Sequence, residues 1–129
     1  MEQDAISMKI VNSNAAGIDV GSRSHFVAVG QNEEDVREFG VFNEDLFSMV
    51  LWLAENQVKT IAMESTGTYW QNRYAVLIAK GFHVILCNGK FTKNIKGKKS
   101  DVMDCQWIQK LHSLGLLSGS FYRKRKLNN

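Results

Sequence analysis

The sequence predicts a mixed α/β sheet of three antiparallel strands followed by parallel strands, with helices packed on the sheet. Two patterns point to this class. Between residues 16 and 42, apolar runs recur at close spacing and are separated by short Gly, Ser and acidic turns, the pattern of an antiparallel meander. After residue 60, short apolar strands alternate with a segment of helical period, which favours parallel pairing through a right-handed crossover.

Ala16 to Val20 reads as a first strand ending at Gly21-Ser22, and His25 to Val29 as a second, with Gly30 and the acidic Asn32 to Asp35 turn after it. Val36 to Phe42 fits a third. Asn43 is the expected N-cap of a helix whose Leu46, Phe47, Val50, Leu53 and Ala54 fall at helical spacing, ending near Asn56. Thr60 to Met63 is a short buried strand. Trp70, Tyr74, Leu77 and Ile78 mark the face of the next helix, which Gly81 stops, and Phe82 to Leu86 is the following strand. Asn88 to Lys99 reads as a loop rich in Lys, Gly and Asn, and Ser100 caps a last helix running to about His112.

A chain of 129 residues, 44% hydrophobic and 22% charged, suffices for one globular domain with a moderate core. There is no run of about eighteen apolar residues and no basic-then-apolar start, so the expectation is a cytoplasmic protein with no membrane partner. Cys87 and Cys105 stand far apart with no His or Cys at ligand spacing, and are expected to be buried small hydrophobes.

The net charge of +3 conceals a division. Residues 1–89 carry six Lys or Arg against eleven Asp or Glu, a balance of −5; residues 90–129 carry ten against two, a balance of +8. Lys90, Lys93, Lys96, Lys98 and Lys99 precede two aspartates, and Arg123 to Lys126 form a basic run near the C-terminus. Cationic side chains beside acids suit a polyanion whose phosphates are brought to a metal; a solvated loop and tail is the plainer account.

Four acids form the candidate site. Asp19 and Glu64 each end a predicted strand, at the carboxyl edge where ligands bind in α/β sheets. Asp101 and Asp104 share a face of the last helix with Ile108 and Leu111, and that apolar pair would turn both aspartates toward the strand edge. Convergent carboxylates are costly to bury unless a cation or protons neutralise them. Mg²⁺, with Mn²⁺ as substitute, prefers oxygen ligands and serves phosphodiester displacement. Each acid also has a simpler account: Asp19 as a strand end, Glu64 as the cap of the Ser65-Thr66-Gly67 turn, Asp101 as a partner of the helix dipole.

His25, His83 and His112 have no triad or zinc spacing and are expected to be structural or exposed. Ser65 and Thr66 follow Glu64 with no evident base, so hydrogen bonding to a substrate phosphate, or turn formation, is the expected role. Tyr69 can stack on an unpaired base, and Trp70 is assigned to the core.

Gly17-Ile18-Asp19-Val20-Gly21, Met63-Glu64-Ser65-Thr66-Gly67-Thr68-Tyr69-Trp70 and Lys99-Ser100-Asp101-Val102-Met103-Asp104-Cys105 together resemble the DEDD insertion-sequence transposases and a related DNA invertase lineage. The resemblance implies an RNase H-like, RuvC-like fold and a Mg²⁺ site of Asp19, Glu64, Asp101 and Asp104. It also implies DNA strand cleavage and rejoining in transposition, guidance by a structured RNA, and a homo-oligomer in the full-length protein. On this resemblance residues 1–113 are the catalytic domain. Residues 114–129 are an apolar, then basic tail leading to a C-terminal domain that this sequence lacks, where family members carry a serine proposed as nucleophile.

Three rival readings remain. A Holliday-junction resolvase or RNase H-type nuclease uses the same fold and metal site without rejoining. An actin-like or sugar-kinase ATPase shares the Gly17 to Gly21 pattern but requires a second phosphate loop and an adenosine motif, which the sequence lacks. A nucleic-acid-binding module with an inactive acid set is the third.

Overall fold

The structure, a computed structural model, describes residues 9–65, 69–87 and 101–117, with Ser65 and Asp101 described by backbone alone. The elements are β1 (Ala15–Val20), β2 (His25–Ala28), a 3-10 turn (Glu33–Asp35), β3 (Val36–Phe39), α1 (Asn43–Glu55), β4 (Thr60–Ser65), α2 (Trp70–Ala79), β5 (His83–Cys87) and α3 (Asp101–Ser113). They form a five-stranded sheet of order β3-β2-β1-β4-β5. β1, β2 and β3 pair antiparallel, whereas β1 with β4 and β4 with β5 pair parallel, as the sequence predicts.

β1 lies at the centre, and all six of its residues are buried. Alternation along the strand sends Ala16, Ile18 and Val20 to one face and Ala15, Gly17 and Asp19 to the other. The first face carries the larger core: Ile18, Ile61 and Met63 of the sheet pack with Met49 and Leu53 of α1 and Leu77 of α2. The opposite face is thinner, with Ala62, Ile85 and Cys87 covered by Ile108 of α3.

Small residues on that second face let α3 come close. A Cβ built on Gly17 would lie 2.8 Å from the Cys105 carbonyl oxygen and 2.9 Å from Gln109 Cα, and would also strike the Gln109 nitrogen. The helix backbone therefore rests directly on the strand. At its other end α3 is tied to the amino edge of the sheet. The Val11 and Asn12 N–H groups donate to Ser113 O at 2.7 and 2.9 Å, and Thr60 Oγ1 lies 2.9 Å from His112 Nε2 and 2.8 Å from His83 Nδ1. Residues 112–113 sit at the start of β1 and β4 and residues 105–109 over Gly17, so α3 runs antiparallel to β1.

Several expectations shift by a residue or more. β3 ends at Phe39 rather than Phe42, and Phe42, not Asn43, is the N-cap of α1; the Phe42 N–H donates to Asp45 Oδ2 at 3.1 Å, which starts the helix one residue early. β5 begins at His83 rather than Phe82. On α2, Arg73 is buried, its Nη1 donating to Tyr69 O, while Ile78 is 43% exposed; the inward line is Arg73 and Leu77, one turn apart. The inner face of α3 is Cys105, Ile108, Gln109 and His112, with Leu111 half-buried beside it, because close backbone contact selects the residues over Gly17. Trp70 is half-buried against the core, both cysteines are buried, and Gly81, at φ 98°, ends α2 in a conformation that favours glycine.

His25 and His112 are buried, and neither ring nitrogen of His25 has a hydrogen-bond partner among the described residues. Burial, then the nearby Arg73 guanidinium, pushes His25 down to about 4 against a weaker opposing pull from Asp45; burial, then His83, does the same to His112, also to about 4. Above the unfolded value of about 6.5 both states are neutral and no stability is lost. Below it the unfolded chain takes up protons that the folded state refuses until about pH 4.

Stability should therefore fall as pH drops from about 6.5 to 4, by up to about 1.4 kcal/mol per pH unit for each histidine. Denaturant midpoints measured across that range should show the decline, and His25→Phe should flatten it by about half. Gly17→Ala should cost about 1–3 kcal/mol through overpacking against α3, read as a lowered urea midpoint; an unchanged midpoint would contradict the contact.

Candidate functional site

The register of the parallel strands sets Asp19 opposite Glu64 and Glu64 opposite Cys87. In-register residues of neighbouring strands share a face, so Asp19, Glu64 and Cys87 form a row on the side that α3 covers, at the carboxyl end of β1 and β4. The row follows from strand composition. Ile18 and Met63 hold the opposite face, so the acids next to them in sequence must point toward α3.

The antiparallel course of α3 brings its first turns to this same carboxyl edge. Gln109 lies over Ala15 and Gly17 and Cys105 over Gly17, so residue 104 and the helix start lie toward Asp19. Asp104 is one turn before Ile108, which packs with Ala62, Ile85 and Cys87. The three carboxylates come from three elements and are all buried: Glu64 is 0%, Asp104 6% and Asp19 8% exposed.

Electrostatics reflect the row of Asp19, Glu64 and Cys87 on the sheet. The Cys87 thiol is pushed up to about 12, first by burial, then by the charge of Glu64, with a further contribution from Asp19. Cys87 Sγ donates to Met63 O at 3.5 Å and is a neutral neighbour of the acid pair.

Among the described residues, no three His, Cys, Asp or Glu side chains stand in an arrangement that would hold a metal ion. Of the expected ligands, Asp101 is placed by its backbone at the start of α3, one turn before Asp104. Ser65 ends β4, and Thr66, Lys90, Lys93, Lys96, Lys98 and Lys99 lie outside the described residues. The donor set that is placed, three buried carboxylates on one rim, is all oxygen and all acidic, which in chemistry fits a hard divalent cation rather than a soft one.

Sequence reasoning missed Gly17 as the point of helix contact, Gln109 as a buried polar residue on α3, and Cys87 as the neighbour of the acids. The signals were present: a glycine inside a central strand marks a close approach, and a glutamine at the inner helical position demands a partner.

In a Cys105→Ser background, the Raman S–H band of Cys87 should persist at pH 10, where an ordinary thiol is ionised at about 8.5. Its loss by that pH would contradict the burial of Cys87 on this face.

Among the described residues no helix is long and apolar enough to cross a membrane. No curated protein matches the chain. The model of one family, the IS110-type DEDD transposases, described as Transposase, matches residues 16–126. That span includes Asp19, Glu64, Asp101 and Asp104 in the D, E, D, D order and all of the five-stranded sheet except Ala15. An RNase H-like mixed sheet, matched to that family over most of the chain's length, makes this chain a member of the IS110-type DEDD transposases, DNA-processing enzymes.

Proposed function

We propose that the acid rim is the site of metal-dependent cleavage and rejoining of DNA strands during transposition of an insertion sequence. The observation that carries this reading is the burial of Asp19, Glu64 and Asp104, from three separate elements, on one face at one strand edge. Asp19 and Glu64 would hold the ion from the sheet, and Asp104 and Asp101 from α3. Held there, a Mg²⁺ ion would supply activation of the attacking oxygen and stabilisation of the leaving one in phosphodiester displacement. The chain's own part is to keep the carboxylates fixed. The rigid sheet holds two of them, and the helix packed on Gly17 holds the others.

Lys90, Lys93, Lys96, Lys98 and Lys99 would hold the DNA backbone beside the acids, and Ser65 and Thr66, following Glu64, would add hydrogen bonds to phosphate. A structured guide RNA and self-association belong to the same proposal and rest on family membership. So does the assignment of residues 1–113 as the catalytic domain.

Asp19→Asn and Asp104→Asn should each weaken Mn²⁺ binding by tenfold or more in a titration followed by electron paramagnetic resonance, with the far-UV circular dichroism unchanged. The same variants should abolish any Mg²⁺-dependent DNA cleavage by the chain. Unaltered Mn²⁺ affinity in both would sink the assignment. Replacing Lys93, Lys96, Lys98 and Lys99 with Gln should weaken DNA binding and lower the slope of log K against log salt by about 0.9 for each phosphate left without its lysine.

A further inference from the structure

α3 is fastened to the sheet by a chain of side-chain amides that includes none of the acids. Gln109, 7% exposed, donates from Nε2 to Ala15 O at 3.1 Å, and its Oε1 accepts from Gln31 Nε2 at 2.6 Å. Gln31, in the connection between β2 and β3, also donates to Gln106 O at 2.8 Å, and Gln106 Nε2 donates back to Gln31 O at 3.1 Å. The chain thus runs from the backbone of β1, through the helix, to the neighbouring strand connection.

Its polarity fixes one orientation. Turning the Gln109 amide over would set nitrogen against the Gln31 nitrogen and oxygen against the Ala15 oxygen, and neither hydrogen bond could form. Contact at Gly17 sets how closely α3 approaches β1, and apolar packing of Ile108 on Ala62, Ile85 and Cys87 and the contact of His112 with Thr60 hold its flanks, but apolar packing alone tolerates small turns of the helix about its axis. Gln109 adds a directional constraint on that turn, because it bonds outward in two directions from one position. Asp104 sits on the same helix, and a turn by one residue, about 100°, would carry it off the face of Asp19 and Glu64. A metal site tolerates misplacement of only about 0.5 Å.

We infer that Gln109, braced by Gln31, is the positioning residue of the acid rim: it fixes the rotation of α3 that presents Asp104 to Asp19 and Glu64. This rests on the reading of those acids as a metal site.

The test is Mn²⁺ titration of the full chain by electron paramagnetic resonance, with thermal unfolding in metal-free buffer measured alongside. Gln109→Met keeps the length and apolar body of the side chain and removes both hydrogen bonds. It should weaken Mn²⁺ binding about tenfold, the usual loss for a residue that orients a ligand, while still unfolding in one cooperative transition. Gln31→Ala, which leaves the bond to Ala15 in place, should weaken it about threefold. A role in stability alone would lower the unfolding temperature and leave the affinity of the folded protein intact. Affinity within about twofold of the parent in both variants, with Asp104→Asn losing it, overturns the inference. If Gln109→Met fails to fold, Gln31→Ala decides by the same limits. A parent protein whose Mn²⁺ binding is absent or indifferent to Asp104→Asn overturns the metal site itself, a failure distinguished by needing no glutamine variant.

Discussion

The direct contact between the backbone of α3 and Gly17 of β1 is the constraint on which the site depends. A side chain at position 17 would meet the Cys105 carbonyl and the backbone of Gln109, so only glycine lets the helix lie this low. The antiparallel course of α3 then has a chemical consequence. With its C-terminus held at the amino edge by Ser113 and His112, its first turns must reach the carboxyl edge, where Asp19 and Glu64 are the penultimate residues of their strands. The acid pair on the sheet and Asp104 on the helix are thereby set on the same face of the sheet, toward the same edge.

The two faces of the sheet divide the work. One carries the larger apolar cluster with α1 and α2, in which Ile18, Met49, Leu53, Ile61, Met63 and Leu77 are fully buried. Burial of such side chains contributes roughly 1.5–3 kcal/mol each relative to exposure. The other face has a small apolar cluster and most of the buried polar chemistry: Asp19, Glu64, Asp104, Gln109 and His112. Buried acids are destabilising unless compensated, and the apolar face supplies the stability that lets the opposite face carry them. Burial above all, and then the charges of Glu64 and Asp19, raise the Cys87 thiol on this face.

Much of the fold was legible in sequence because its signals are local. The period-2 runs of β1 to β3, the helical spacing of α1 and the left-handed glycine at 81 each depend on residues within a few positions of one another. The departures are also local. Asp45 caps the Phe42 N–H and moves the start of α1, and Arg73 takes an inward place on α2 that apolar spacing assigns to Ile78. Hydropathy could not foresee Arg73, whose aliphatic stem packs inward while its Nη1 reaches the Tyr69 carbonyl.

The candidate site divides along the same line. Sequence by itself determined that Asp19 and Glu64 end strands, that Asp101 and Asp104 open a helix, and that their order and spacing are those of the family, because strand ends and helix starts are written in short stretches of chain. Tertiary structure decided that Asp19 and Glu64 stand in register, that α3 lies on their face, and that Cys105, Gln109 and His112 rather than Leu111 line its inner side. Those outcomes depend on the pairing of β1 with β4 and on the fit of α3 to Gly17, contacts between residues far apart along the chain that no local pattern encodes.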